Sequence, residues 1–337
     1  MDFRLEMKVK PLPQLLRLGE HTLLVGSCFT EHMSRYLGQH RFSVLENPHG
    51  ILFNPASIAH AMNDYITLRH YQPDDLFFHD GLWQSWHHHG RFAALQPNEA
   101  LLAINDGISH AHRFLQKANW LMVTLGSAYV YKLKPDSGYR PLSSNSVVAN
   151  CHKVSAASFE HSLMELTECT ECLQQMLAAI RAFNPGIKVI FTISPVRHYR
   201  EGLVENNRSK ATLHLAVAQM LQQYNDVFYF PAYELIIDDL RDYRFFAEDM
   251  VHPNYLATQY VWSKFCEACI HPESDKHLEA IAKIMRAMQH RPRQPNSPQH
   301  AQFLQSMLQQ TLQLQQALPR LNWQDALAYF SKMPDGV

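Results

Sequence analysis

Two short stretches of the 337-residue chain carry side chains whose types and spacing suit covalent chemistry. In Asp249-Met250-Val251-His252 a carboxylate precedes an imidazole by three residues. On a turn that enters a helix, this spacing lets the carboxylate hold one ring nitrogen and support the imidazolium formed when the other takes a proton. The plainer use of the same residues is helix capping. In Gly26-Ser27-Cys28 a hydroxyl and a thiol follow one another where an apolar run ends and a helical pattern begins. Small residues suit any tight turn of that kind. A nucleophile at this place, followed far along the chain by Asp-x-x-His, points instead to acyl transfer through a covalent intermediate.

The elements that must position these residues follow from the alternation of apolar, β-branched runs with helical periodicity. Strands are predicted at 22–28, 42–46, 120–125, 188–194 and 227–231. Helices are predicted at 30–39, 55–69, 158–183 and 209–224, and from after Asn254 to about 270. Asn54-Pro55 reads as the cap and first residue of the second helix. The pattern predicts an α/β fold: a three-layer αβα sandwich on a parallel sheet of about five strands. Residues 77–95, rich in aromatics and histidines, read as an inserted β-hairpin. The main domain is placed at 1–272 and a C-terminal helical extension at 273–337, with helical stretches near 276–289 and 298–317. The extension is interrupted by the Pro-rich RPRQPNSP, a boundary or hinge. Its Leu/Gln helix is expected to pack back on the domain, with pairing to another chain as the alternative.

Bulk properties exclude several classes. With 30 Lys+Arg against 31 Asp+Glu the chain has no broad footprint for nucleic acid or anionic membrane. No apolar run is long enough to span a bilayer and no signal-peptide pattern opens the chain, so a soluble, cytoplasmic protein is expected. Cys169/Cys172 and Cys266/Cys269 have CxxC spacing, but each pair falls in a helical pattern and reads as the apolar face of a helix, not as a metal site. No metal or other cofactor is called for.

Ligands of such sheets sit outside the carboxyl ends of the strands. Those ends deliver Gly26-Ser27-Cys28, then Asn47 to Gly50, then Gly126-Ser127, then Arg197-His198, and finally Asp249 and His252. Polar residues and glycines gathered at one edge of an apolar sheet favour an active site over packing.

Taken together, these residues resemble the GSCFA family. GSCFT (26–30) looks like its signature, and NPHGILFNP, NCHK (150–153), SPVRH, ENNRSKATL and RDYRFFAEDMVHP resemble its later blocks, in order, over about 22–268. Thr30 departs from the alanine of the signature. The family is similar to the SGNH, or GDSL-like, hydrolases, which are flavodoxin-like esterases and acyl-transfer enzymes. The resemblance places the nucleophile on Cys28, with Ser27 where that superfamily has aspartate. It gives the oxyanion glycine as Gly50 and the dyad as Asp249 and His252. The third block is met only by Gly126-Ser127-Ala128-Tyr129, without its oxyanion asparagine, so Asn54, Asn150 or Ser127 would have to substitute.

The resulting expectation is an ester hydrolase or acyltransferase acting on small-molecule or glycan esters through Cys28 or Ser27, His252 and Asp249. Cys28 has the better register and the stronger intrinsic nucleophile. Arg197, His198 and Lys210 are candidates for substrate recognition or for structural ion pairs. Trp83, Trp86 and His87-His88-His89 either line the entrance or pack a hairpin over the sheet. The competing readings are a binding module that kept the fold and lost catalysis, and a metal-dependent hydrolase built on His87–His89, Asp249 and His252.

Overall fold

A computed structural model describes residues 5–139 and 147–332. Five strands, β1 (His21–Gly26), β2 (Ser43–Glu46), β5 (Trp120–Leu125), β9 (Lys188–Ile193) and β10 (Val227–Tyr229), form one parallel sheet in the order β10-β9-β5-β1-β2. Two strands of a hairpin, β3 (Phe77–His79) and β4 (Leu82–Gln84), and a small antiparallel sheet of β6 (Tyr129–Leu133), β7 (Val147–Val148) and β8 (Phe159–Leu163) are inserted between them. Chain order therefore reverses between β1 and β5: from β1 the chain moves outward to β2, then returns to the other side. Such a switch point leaves a crevice at the carboxyl ends of its two strands.

Successive side chains of a strand point to opposite faces, and both faces here are covered. Leu23, Val25, Leu121, Val123, Val189 and Phe191 enter one core. That core is closed by α2 (Pro55–Thr67), α3 (Pro97–Leu115), α4 (Leu166–Phe183) and α5 (Leu203–Gln223). Leu24, Trp120, Met122, Ile190 and Phe228 enter the other, under α1 (Phe29–Gln39), the short α6 (Ala232–Glu234) and α7 (Tyr255–Cys269). The three-layer αβα sandwich expected from the pattern is the observed fold.

Two local readings need correction. Residues 158–183 are not one helix: Phe159–Leu163 is strand β8, paired antiparallel with β6, and the helix opens only at Leu166. A reciprocal cap sets the break, because the Glu168 carboxylate accepts the Glu165 N–H at 2.8 Å and so starts a new helix there. The 19-residue helix α3 was also missed; Gly107 inside it sits 3.2 Å, measured from its would-be Cβ, from the Pro48 carbonyl, so a larger residue would crowd the loop after β2.

The C-terminal helices α8 (Pro272–Gln289), α9 (Pro298–Ala317) and α10 (Gln324–Phe330) bury Ile281, Ile284, Leu304, Met307, Trp323 and Phe330 in a core of their own. The Leu/Gln helix α9 thus packs back on its own chain. Arg41, just beyond α1, joins the two parts: it bonds Asp325 at 2.8 Å and lies over the Trp323 ring at 4.8 Å.

Candidate active site

The turn after β1 is fixed by the sheet. Gly26 has φ +138°, and a side chain there would overlap the Thr124 carbonyl of β5, so no larger residue fits. Its N–H donates to Asn47 Oδ1 at 2.9 Å, which ties the turn to the end of β2. The two candidate nucleophiles differ sharply in setting. Ser27 is 0% exposed, and its hydroxyl accepts the Phe29 N–H at 3.3 Å. Cys28 is half-buried at the start of α1. Burial raises the Cys28 thiol above its usual value and Glu31 adds to the rise, while its own N–H, that of Phe29 and the Lys210 cation oppose it.

Asp249 and His252 lie on the loop that leads into α7, at the same edge of the sheet. Asn254 caps that helix by accepting the Ala257 N–H at 3.1 Å, so the capping role belongs to Asn254 and leaves the dyad free for other work. The His252 Nδ1 and Asp249 Oδ2 are 2.6 Å apart, and both side chains are about half exposed, at 44% and 50%. Asp249 also accepts the N–H groups of His252 and Val251 at 2.9 Å each. Those bonds, the His252 N–H first, hold its carboxyl down to about 2, so it is charged at any working pH. With Nδ1–H given to the carboxylate, Nε2 is the basic nitrogen. Burial, then the charges of Arg35 and His252, lowers the pKa of His32 on α1, one turn beyond Cys28, so the dyad and the nucleophile turn face the same space.

Below the crevice, Lys210 of α5 reaches the ends of two strands. Its ammonium donates to the Gly126 and Ser194 carbonyls at 2.6 and 2.7 Å and is 2% exposed. His198 stands beside it, its ring packed edge-on to Phe53 at 4.9 Å, and its Nε2 is buried without a hydrogen-bond partner. Burial, followed by the charges of Lys210 and His252, drives His198 down to about 3, so the ring is neutral.

The remaining sequence candidates fall in different places. The Gly50 N–H donates to the Asn47 carbonyl at 2.7 Å, and those of Gly126 and Ser127 both donate to the Phe53 carbonyl, at 2.8 and 3.0 Å. The Cys28 N–H has no such acceptor among the described residues. Asn54 caps α2 through Oδ1, accepting the Ser57 N–H at 2.8 Å, and its amide nitrogen has no acceptor among the described residues. Asn150 accepts the His152 N–H at 2.8 Å and sits with the inserted hairpin. Arg197 donates to the Tyr243 hydroxyl at 3.2 Å and lies over the Phe246 ring at 4.9 Å, fastening the loop that carries the dyad to the end of β9.

The hairpin residues pack inward. Trp86 stacks on Phe77 at 3.6 Å, and His87 and His88 are buried. They complete a cluster that sequence reasoning missed. Asp64 of α2, fully buried, bonds the Tyr71 hydroxyl at 2.7 Å and His49 Nε2 at 3.2 Å. His88 stacks on His49 at 4.1 Å and His87 on His60 at 3.9 Å. The signal was present in the three consecutive histidines and in Asp64 on the apolar face of a helix, but nothing in the sequence pairs them. No group of ligating side chains among the described residues has the arrangement to hold a metal ion, the two CxxC pairs included. Those cysteines lie on α4 and α7, with Cys169 and Cys269 fully buried in the two cores.

Two family models match the chain. The one described as the GSCFA family covers residues 21–265, and the one described as the C-terminal domain of GSCFA domain proteins covers residues 281–333. No curated protein matches. Among solved structures, the chain is similar to a carbohydrate esterase family 3 from Talaromyces cellulolyticus, with 11% identity and a TM-score of 0.36 over 78% of this chain and 99% of that one. It is also similar to the Clostridium thermocellum family 3 carbohydrate esterase, with 10% identity and a TM-score of 0.36 over 78% of this chain and 98% of that one. Among the described residues no helix is long and apolar enough to cross a membrane.

Proposed function

The chain belongs to the GSCFA family, and from that premise we propose that it is an ester hydrolase or acyltransferase whose acyl group passes through a thioester on Cys28. The observation that carries this reading is the 2.6 Å Asp249–His252 pair at the same sheet edge as the Cys28 turn. A carboxylate held charged beside an imidazole whose other nitrogen is free is the base such chemistry needs. Cys28 is preferred over Ser27 because the Ser27 hydroxyl is enclosed and already bonded to the helix start.

In the first half-reaction His252 Nε2 takes the thiol proton and the sulfur attacks the ester carbonyl carbon. The oxygen that becomes negative is held by the Cys28 N–H and the unpartnered amide of Asn54, which stands in for the missing asparagine of the superfamily. Collapse breaks the acyl–oxygen bond, and the leaving alcohol carries away the proton from His252. A water or an acceptor hydroxyl then attacks the thioester, gives its proton to His252, and the thiol is restored. Small acylated molecules or acylated glycans are the substrates this open site suits. The six cysteines, all unpaired, agree with a reducing compartment such as the cytoplasm.

A second reading, a binding module without catalysis, has one observation in its favour: the N–H groups of Gly50, Gly126 and Ser127 are all taken by backbone carbonyls. Turnover of a chromogenic acetyl ester decides between the two. Hydrolysis by the wild type that is lost in His252→Ala supports the enzyme; no hydrolysis of this or of a panel of longer and sugar-linked esters supports the binding module.

A further inference from the structure

A groove of about 580 Å³ lies where the two parts of the chain meet, walled by α1, α7 and α8. Helices α1 and α7 belong to the segment matched at 21–265. The α8 residues in the wall, Ala282 to Gln289, belong to the segment matched at 281–333. Junctions of this kind are common places for small-molecule sites. The aromatic part of the wall is held by stacking. The Trp262 ring, 8% exposed, packs on Tyr36 at 5.4 Å and on His40 at 4.9 Å. The Tyr36 hydroxyl lies 3.3 Å from that of Thr258, and His40 Nδ1 donates to the Tyr36 carbonyl at 2.7 Å.

No aspartate or glutamate lines the groove, whereas two arginines do, Arg35 from α1 and Arg286 from α8. Among the described residues Arg35 makes one hydrogen bond, to His32 Nδ1 at 3.4 Å, and no ion pair. Arg286 has neither among the described residues. Burial lowers the His40 pKa, and of the two charges that reach this ring the Arg286 cation outweighs Asp275. The whole chain has 30 Lys+Arg against 31 Asp+Glu, so two cations without a carboxylate are a local arrangement. Guanidinium forks match the oxygens of a phosphate, whose charge of about −1.5 to −2 near neutral pH answers two of them. The rest of the wall fits what such a phosphate would be attached to. Each helix adds one carboxamide, Gln39, Gln259 and Gln289, and none of these side chains has a hydrogen bond among the described residues. A carboxamide both donates and accepts, as sugar hydroxyls require. Tyr255, the first residue of α7, is 63% exposed and offers an open ring face in the same wall.

We propose that this groove is a binding site for a sugar phosphate. The phosphate is held between Arg35 and Arg286, and the sugar hydroxyls are met by Gln39, Gln259 and Gln289 beside the Tyr255 ring. The site goes beyond the ester chemistry and does not depend on which residue is the nucleophile. It gives the C-terminal helices a task besides packing, because α8 supplies one of the two arginines and one of the three amides. It also stands apart from the Cys28 turn: Arg35 lies about two turns, or ~10 Å, further along α1 at the helical rise.

The test is isothermal titration calorimetry on the full chain, which reads binding without an enzymatic assay. The probes are glucose 6-phosphate and ribose 5-phosphate, with glucose, inorganic phosphate and AMP for comparison. At least one of the two sugar phosphates is expected to bind saturably and more tightly than all three comparison probes. Arg35→Gln and Arg286→Gln, which keep most of each stem and remove the charge, should each weaken that binding by about tenfold or more. Tyr255→Ala should weaken the sugar phosphate and leave inorganic phosphate unchanged. Both arginines are exposed, so the variants should melt as the wild type does, and either one alone decides. Absence of binding by both sugar phosphates, or binding that a folded arginine variant keeps in full, overturns the proposal. Inorganic phosphate or AMP bound as tightly as the sugar phosphates would mark a plain anion site or a nucleotide site and overturns it as well.

Discussion

His252 Nδ1 and Asp249 Oδ2 are held 2.6 Å apart by a loop whose own N–H groups, those of Val251 and His252, close on the same carboxylate. The carboxylate therefore orients the ring and is itself oriented by the backbone. It follows that Asp249→Asn should keep the loop and lose the chemistry, since an amide can still accept those N–H groups but supports an imidazolium poorly. The expected fall in kcat is about 10³–10⁴ with a small change in KM and an unchanged melting temperature. An Asp249→Asn enzyme with most of its kcat would show that the pair is only a loop clasp.

Asn54 separates two roles in one side chain. Its Oδ1 caps α2, and its amide nitrogen has no acceptor among the described residues. Asn54→Asp keeps a cap acceptor and removes the donor, so kcat should fall by about 10²–10³ while the fold holds. Asn54→Ala should lower kcat similarly and also reduce stability by about 1 kcal/mol, because the cap is lost as well. If Asn54→Asp is as active as the wild type, the oxyanion is held elsewhere.

The buried histidines give the fold a directional pH dependence. Burial is the main cause that lowers the pKa of His49, His60, His87 and His88 from 6.5. A histidine whose folded value is depressed binds a proton more readily unfolded, so stability is intact above about 6.5 and falls as pH drops below it. Asp64, lowered by its hydrogen bond to His49 and by the charge of His60 against its burial, adds a loss in the same direction at lower pH. Thermal melts from pH 8 to pH 5 should show Tm falling steeply below about 6.5. His88→Gln, which can still bond Ser85, should flatten that fall; a flat wild-type profile would contradict the account.

Much of the sheet was legible because buried parallel strands are written as short apolar runs. The run at 120–125 was read to the residue, whereas the switch point appears only in the strand order of the folded sheet. The helical reading of 158–163 failed for a physical reason. Phe159–Leu163 has its support in a partner strand thirty residues upstream, in the bonds of Tyr129 to Leu133, and a local pattern cannot contain that. Of the candidate site, the Asp249–His252 contact was legible, because it depends on spacing along the chain. The site was not legible where chemistry depends on what meets across the fold. Lys210 was one of several basic residues near strand ends until its two carbonyl anchors singled it out. Likewise Gly50, Gly126 and Ser127 could be named from their positions, but where their N–H groups are spent is a property of the loops at 47 and 53, which only the folded chain brings to them.

In the proposed reaction an acyl group rests on the Cys28 sulfur during turnover, and intact mass spectrometry after rapid acid quenching reads it directly. With an activated acetyl ester in excess, the protein is predicted to gain one acetyl group, which peptide mapping places on Cys28. The adduct should be absent in Cys28→Ala, present in Ser27→Ala, and removed by hydroxylamine as a thioester is. Turnover accompanied by an adduct on Ser27, or by no adduct on either residue and undiminished in Cys28→Ala, would contradict the account.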